Sequence, residues 1–190
     1  MNPEQNQENK TILLHACCGI CAAYPIILLR EMGYNPIVFF SNSNLSNKEE
    51  YNKRLEAQKT LCENLNCELI VDEYQPTHFE QIVTNLTDEP EGGKRCDKCF
   101  EMRLKSTLKK ALELGVSYFT TSIVISPHKN FSKICDIAQE ISNGSNAEFL
   151  PINFRKNDGF LKTNKISREL NLYRQNYCGC EFSVRPAAES

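Results

Sequence analysis

Short apolar runs alternate with longer polar and amphipathic stretches along the chain. Five apolar runs are continuous enough to predict buried strands, at residues 11–16, 36–40, 69–71, 118–125 and 148–152. The stretches between and after them predict helices at residues 22–32, 46–66, 79–86, 100–114, 134–141 and 165–172. Strands that alternate with helices are typical of a parallel sheet wound on both faces. The sequence therefore predicts an α/β fold with a doubly wound, mostly parallel sheet of about five strands.

Polar residues mark the expected boundaries of these elements. Ser46 and Glu49 have the spacing of a capping box and predict the start of the second helix. A polar stretch at residues 87–95 is typical of a loop. Residues 1–10 are polar and rich in Asn and Gln, and we expect them to form a disordered tail. Residues 11–190 are then expected to form a single domain, with a C-terminal extension that carries cysteines.

Composition narrows the class of protein. The chain has 190 residues, 41% of them hydrophobic and 24% charged, with a formal net charge of -2. That near-neutral charge gives no indication of nucleic-acid binding, so an RNA-binding surface would have to be a local basic face. We find no apolar stretch of the roughly 20 residues that cross a bilayer, and the N-terminus lacks the apolar core of a secretory signal. We therefore expect a cytoplasmic location without a membrane partner. Clustered cysteines in that compartment bind metals or act in catalysis more often than they form structural disulfides.

Seven of the ten cysteines fall into three tight groups, near the start, middle and end of the chain. Cys17, Cys18 and Cys21 follow the first predicted strand directly, where ligands of parallel α/β sheets bind. His15 precedes them and is either a contact of the site or a satisfied strand-end histidine. Grouped thiolates bind soft metals or carry redox chemistry. The other three cysteines are solitary and predicted to pack as small apolar residues: Cys62, Cys67 and Cys135.

The first two groups together predict a metal site. The Cys96-x-x-Cys99 spacing suits metal ligation or a thioredoxin-like redox pair, and its position midway along the chain favours the metal. Adjacent cysteines such as Cys17 and Cys18 chelate a single ion poorly, but they can reach separate iron corners of a cluster. These four thiolates are the number that a [4Fe–4S] cluster takes. A single zinc ion held by the same four residues is the alternative.

The third group, Cys178-Gly179-Cys180, predicts redox chemistry. A disulfide across one intervening residue closes a small, strained ring that is easily reduced. The pair is therefore expected to be a redox-active, catalytic couple, or to provide ligands to a second metal. Cys21 is a spare thiolate in the first group and a candidate ligand to a second, mononuclear iron ion.

Four ordered segments resemble the cobalamin-independent epoxyqueuosine reductase family, of the QueH type. They are residues 14–21, 90–104, 120–130 and 173–180, and the likeness extends from about Leu13 to Ser183. Several segments in the correct order are far more specific than a single Cys-x-x-Cys motif. The family pattern usually has Cys-Cys-Ala-Pro-Cys at the first site. Here Gly19 and Ile20 replace Ala-Pro and leave the thiolates unchanged.

The resemblance implies an oxidoreductase that removes the epoxide oxygen of epoxyqueuosine at a tRNA wobble position, to give queuosine in the last step of that modification. It implies a [4Fe–4S] cluster on Cys17, Cys18, Cys96 and Cys99 and a redox role for Cys178 and Cys180. It also implies a fold similar to the nucleotide-hydrolase (HUP-like) α/β group. The partners expected from it are tRNA and an electron donor, either a protein or another reductant.

Cations and aromatic residues near the cysteines are candidates for tRNA contacts. Arg168 and Arg174 flank the last cysteine pair, and further cations surround the Cys-x-x-Cys motif: Lys94, Arg95, Lys98, Arg103, Lys105, Lys109 and Lys110. Tyr173, Tyr177 and Phe100 could stack on an exposed base, or belong to the core. Other functional classes stay open on the sequence alone. They are a zinc-binding structural module, a thioredoxin-like oxidoreductase and a cluster-bearing electron-transfer protein.

Overall fold

A computed structural model describes residues 10–184 as one parallel sheet covered by helices. The strands are β1 (Lys10–Ala16), β2 (Tyr34–Phe40), β3 (Leu69–Val71), β4 (Tyr118–Thr121) and β5 (Glu148–Phe149). Their order is β3-β2-β1-β4-β5, and every neighbouring pair is parallel. β1 is the central strand, and its residues 12–14 are completely buried. A strand covered on both faces needs such a continuous apolar run.

Six helices form the layers on either side of the sheet. They are α1 (Gly19–Glu31), α2 (Lys48–Asn64), α3 (Pro76–Val83), α4 (Lys94–Glu113), α5 (Phe131–Ser142) and α6 (Gly159–Glu169). α1 packs against α2 and α6, whereas α4 packs against α3 and α5, and both α1 and α4 contact β1. The predicted doubly wound α/β fold with five strands is confirmed. Among residues 10–184 we find no helix with both the length and the apolar character needed to cross a bilayer.

Helix starts differ most from the sequence prediction. α1 begins at Gly19, directly after Cys18, and α4 begins at Lys94, so Cys96 and Cys99 lie inside its first two turns. The predicted Ser46–Glu49 capping box is wrong. The N-cap of α2 is Asn47, whose side chain accepts a hydrogen bond from the backbone N–H of Glu50 at 3.1 Å. Asn is as good a cap as Ser, and it is one residue nearer the helix.

The end of β4 and the start of β1 also differ from the sequence prediction. The strand predicted at 118–125 stops at Thr121, because the Thr121 hydroxyl accepts from the N–H of Ile123 at 3.2 Å and starts a 3₁₀ turn. β1 begins at Lys10, one residue earlier than the predicted domain start. The remainder of the predicted disordered tail, residues 1–9, lies outside the described residues.

Candidate metal centre

The turn after β1 gathers three thiols into one small group. β1 ends at Ala16 and Cys18 caps α1, where its sulfur accepts a hydrogen bond from the N–H of Cys21 at 3.3 Å. The sulfurs of Cys18 and Cys21 are 2.8 Å apart, and those of Cys17 and Cys18 are 3.9 Å apart. All three sulfurs lie within 4.8 Å of one another. Such a group of sulfurs favours binding of a soft metal ion.

The environment of this turn gives the three thiols different pKa values. Hydrogen bonds from Cys18 and Cys21 hold the pKa of Cys17 well below its usual value. Burial raises the pKa of Cys18 to about 12, and hydrogen bonding to Cys17 raises that of Cys21 well above its usual value. Cys17 is therefore the sulfur that carries negative charge most readily.

His15 is a satisfied strand-end histidine. Its Nε2 donates to the carbonyl of Ser41 at 3.1 Å, so its Nδ1 accepts from the hydroxyl of Thr121 at 2.9 Å. Burial lowers the pKa of His15 to about 4, which keeps the ring neutral. Both ring nitrogens are engaged, and the residue ties the carboxyl ends of β1, β2 and β4 together.

Cys96 and Cys99 lie on the first two turns of α4 and are buried. The sulfur of Cys96 accepts a hydrogen bond from the N–H of Gly92 at 3.2 Å, and Cys96 belongs to the same core cluster as the β1–α1 cysteines. Cys99 packs instead with Phe79 and Val83. Burial raises the pKa of the Cys99 thiol to about 12. Neither sulfur belongs to the tight group of three, so the predicted set of four cluster ligands stays a prediction.

A buried arginine positions the C-terminal segment. Arg54 on α2 is 1% exposed and forms a 2.7 Å ion pair with Glu50, one helical turn earlier. Its two terminal nitrogens donate to the carbonyls of Tyr177 and Cys178, at 3.0 and 2.9 Å. Glu50 also accepts a hydrogen bond from the Tyr173 hydroxyl at 2.6 Å. We call Glu50, Arg54 and Tyr173 the α2 clamp. It holds the backbone carbonyls of Tyr177 and Cys178 in place.

Cys178 and Cys180 face different surroundings. The sulfur of Cys178 accepts a hydrogen bond from the Lys129 ammonium at 3.1 Å, and Lys129 also pairs with Glu91 at 3.1 Å. Cys180 is buried in the small cluster that contains Cys99. The residue between them, Gly179, has φ +140°, which turns the chain sharply. All ten cysteines are free thiols, so the predicted disulfide between Cys178 and Cys180 is absent. The reason is that the two side chains point to different environments.

A cavity of about 340 Å³ joins the first and last cysteine groups. The thiols of Cys17, Cys21 and Cys178 line it, together with the 3% exposed Arg103 of α4. Polar and aromatic side chains form a further part of its wall: His128, Lys129, Phe160, Asn164, Arg174, Gln175 and Tyr177. The amide of Gln175 donates to the sulfur of Cys18 at 2.9 Å. A concave site with several thiols and cations can hold a metal beside an organic substrate.

The candidate tRNA-contact residues divide by burial. Phe100 is 4% exposed and belongs to the core, and Arg95 is 3% exposed and donates to the carbonyls of Leu86 and Thr87 at 3.1 and 2.9 Å. Lys98 and Lys105 both pair with Glu101, and Lys109 and Lys110 pair with Glu113. Arg174 is exposed at the rim of the cavity, and Tyr177 lines it. The cavity rim is therefore a better candidate for RNA contact than the α4 lysines.

Sequence reasoning missed the α2 clamp and the contact between Lys129 and Cys178. Glu50 and Arg54 have the same four-residue spacing as the exposed pair Glu49 and Lys53, so the sequence gives no sign of which pair is buried. Lys129 lies in a segment that resembles the reductase family, and this was the available signal for its role.

Known proteins of one family are similar to this chain over most of its length. A model of the family described as epoxyqueuosine reductase QueH matches residues 12–186. The epoxyqueuosine reductase QueH of Staphylococcus epidermidis is 37% identical over 189 residues, which cover 95% of this chain and 79% of that protein. The QueH of Streptococcus pyogenes is 34% identical, with 96% of this chain and 73% of that protein covered. For the QueH of Thermotoga maritima the identity is 33%, with 92% and 90% covered.

A solved structure shares the fold. It is the U34-tRNA thiolase NcsA from Methanococcus maripaludis with its [4Fe–4S] cluster, which superposes with a TM-score of 0.60 at 14% sequence identity. The match covers 93% of this chain and 62% of that one. At this identity the likeness shows the α/β fold alone. The family match extends over nearly all of the chain and includes every cysteine of the three groups, so the chain belongs to the epoxyqueuosine reductase QueH family.

Proposed function

We propose that this chain reduces epoxyqueuosine in tRNA to queuosine, with iron–sulfur chemistry at the carboxyl edge of the sheet. One observation carries the proposal: the cavity where the thiols of Cys17 and Cys21 meet that of Cys178, from opposite ends of the chain. Membership of the family supplies the substrate class, and this cavity supplies the place where the substrate can meet a metal.

The donor set fits an iron–sulfur cluster in its chemistry. We propose Cys17, Cys18, Cys96 and Cys99 as the ligands of a [4Fe–4S] cluster, which takes four thiolates. Two features of this chain support the assignment. Burial works against the charge of the Arg103 guanidinium, but Cys99 and Cys17 as thiolates outweigh it and raise the pKa of Arg103, so this cation can balance an anionic cluster. The Gln175 amide donates to the sulfur of Cys18, a contact of the kind that tunes cluster potentials.

The reaction removes the epoxide oxygen, which takes up two electrons and two protons and leaves as water while the two carbons form a double bond. When bound, the cluster would supply the electrons one at a time. The chain's own residues then have to bind the substrate and hold charge at the oxygen. Burial works against the Lys129 ammonium, but the neighbouring Cys178 sulfur and Glu91 outweigh it and raise the pKa of Lys129 above its usual value. Lys129 therefore keeps a positive charge where the oxygen gains a negative one.

We propose that Cys178 and Cys180 both take part in the reduction as thiols, from different positions. Cys178 lines the cavity and faces the substrate, whereas Cys180 lies behind it, in the cluster of side chains that includes Cys99. Substrate binding requires the modified base to leave its stack and enter the cavity. Tyr177, which stacks on Arg54 at 5.2 Å, and the exposed Arg174 are the candidates for base and phosphate contact. The electrons come from a separate protein or reductant.

Zinc binding is the alternative, because three sulfurs within 4.8 Å match the spacing around a single ion. A structural zinc site is closed by its ligands, whereas this one opens into a cavity. A second, mononuclear iron held in part by Cys21 is compatible with the same geometry and stays part of the proposal.

The test is anaerobic reconstitution of the full chain with iron and sulfide, incubation with substrate tRNA and a low-potential chemical reductant, and a mass-spectrometric assay of queuosine. We expect about four irons and four sulfides per chain, with one further iron when the second site is filled, and conversion of epoxyqueuosine. The double variant Cys178→Ser/Cys180→Ser should lose turnover by at least about 100-fold yet keep the cluster's absorption, whereas Cys135→Ser, a buried cysteine outside the groups, should retain both. Zinc without sulfide, or turnover that survives in the double variant, would contradict the proposed roles.

A further inference from the structure

Two cysteines outside the candidate metal centre meet at the C-terminal end of α2. Cys62 is in the last full turn of the helix, which ends at Asn64, and Cys67 follows in the connection to β3. The sulfur of Cys67 donates to the carbonyl of Pro36 in β2 at 3.1 Å. Pro36 lies four residues before the carboxyl end of β2, about 13 Å along the strand. This pair therefore occupies the amino edge of the sheet, opposite to the cavity.

The helix end has the geometry of a Schellman motif. The N–H of Cys67 donates to the carbonyl of Cys62 at 2.8 Å, and the N–H of Asn66 donates to the carbonyl of Glu63 at 3.2 Å. Asn66 has φ +46°, the left-handed conformation that this motif requires. The motif characteristically brings the side chains at these two outer positions into contact. Here both of those side chains are cysteines, where most helices have a pair of apolar residues.

Neighbouring side chains hold this geometry and polarise the sulfurs. Arg30 of α1 donates to the carbonyls of Leu65 and Asn66, at 2.7 and 2.8 Å, and so fixes the link between the two cysteines. The Gln58 amide donates to the sulfur of Cys62 at 3.3 Å. The interaction between the two sulfurs lowers the pKa of Cys62 and raises that of Cys67. The helix-end hydrogen bonds and the pocket that both cysteines line therefore place the two side chains next to each other.

A small reagent has access to the pair. A surface pocket of about 220 Å³ is lined by both cysteines, together with Lys59, Glu63, Asn66 and Leu69. Cys62 is 3% exposed and Cys67 is partly exposed. Cys135, by contrast, is a buried cysteine without a neighbouring thiol partner among residues 10–184.

We propose that Cys62 and Cys67 form an oxidisable dithiol, a modification site for low-molecular-weight disulfides that is independent of the metal centre. In the first step one of the two thiolates attacks the reagent RSSR, forms a mixed disulfide and releases RSH. The other cysteine then attacks the modified sulfur, closes the Cys62–Cys67 disulfide and releases the second RSH. The two cysteines lose two electrons and two protons, which reduce RSSR to two RSH.

Tryptic cleavage isolates the pair, because the peptide of residues 60–94 contains Cys62 and Cys67 and no other cysteine. Full-length protein carrying its reconstituted metal is incubated anaerobically with oxidised glutathione, alkylated and digested. We expect this peptide to lose two hydrogens and to resist alkylation until it is reduced. The Cys67→Ser variant should lose the internal bond and carry at most one glutathione on Cys62. Cys135→Ser should react like the wild-type protein.

Thermal unfolding gives a second measurement. Closing a ring at a helix end restricts the unfolded chain, so the oxidised protein should melt about 5 °C higher than the reduced one. The Cys62→Ser/Cys67→Ser variant should show no such rise. A peptide that stays fully alkylatable at glutathione concentrations that oxidise dithiothreitol would overturn the proposal. So would separate glutathione adducts on both cysteines without an internal bond. Neither readout depends on reductase activity, so the result is separate from that of the proposed function.

Discussion

Replacing Arg54 by methionine tests the α2 clamp, since it keeps an unbranched apolar stem and removes the charged guanidinium. In the native protein Arg54 is 1% exposed, pairs with Glu50 at 2.7 Å and donates to two backbone carbonyls. The variant leaves the buried Glu50 carboxylate with the Tyr173 hydroxyl but no cation. Removing one partner of a buried ion pair costs about 3–5 kcal/mol, because the remaining charge stays desolvated. We take this as the expected decrease in the free energy of unfolding. It includes the loss of the hydrogen bonds from Arg54 to the two backbone carbonyls.

For a chain of this size, that loss lowers the melting temperature by about 10 °C. The measurement is thermal and urea unfolding of both proteins under the same reducing conditions. Lys53→Met is the matched control on the same helix, because Lys53 pairs with Glu49 while both side chains are 50% or more exposed. An exposed pair contributes at most about 1 kcal/mol. If Arg54→Met unfolds like Lys53→Met, the reasoning about the clamp is refuted. Alkylation of Cys178 should also become faster in Arg54→Met, since the clamp holds the carbonyl of that residue.

Two further substitutions test the cavity and the packing below it. Lys129→Met removes the ammonium that donates to Cys178, and we expect turnover to fall at least about tenfold while the iron content stays unchanged; unchanged turnover would exclude Lys129 from the reaction. Gly159→Ala places a methyl group onto the carbonyl oxygen of Phe154, so it should destabilise the protein by about 1–3 kcal/mol in urea unfolding. A wild-type midpoint for Gly159→Ala would show that α6 can shift without cost.

The sequence predicts well those elements whose own residues form a continuous apolar run. β1, β2 and β3 are continuous apolar runs, and their observed bounds differ from the prediction by two residues at most. The group of Cys17, Cys18 and Cys21 was predictable for the same reason, since residues that follow the central strand must lie at its carboxyl end. Helix starts were less accessible. The first turn of α4 carries charged residues and cysteines, and its apolar periodicity begins only at Phe100.

The unpredicted features depend on contacts between distant segments. Arg54 is buried because residues 177 and 178 pack over it, and nothing in the helical pattern of residues 46–66 reveals that cover. The guanidinium of Arg95 donates its hydrogen bonds to carbonyls of the preceding loop, so this cation is not free to contact RNA as its place in the sequence suggests. The separation of Cys178 from Cys180 likewise depends on Gly179 and on the cluster around Cys99. Spacing alone predicts proximity of such thiols but not their direction.

The distance along the chain between the two walls of the cavity has a consequence for biosynthesis. One wall contains Cys17 and the other Cys178, so a nascent chain still attached to the ribosome can form the sheet before it has closed this chamber. The four proposed cluster ligands all precede Cys178 in the chain, so they can come together while this second wall is still missing. We therefore expect the cavity to be completed last, when the segment around Cys178 docks on α2.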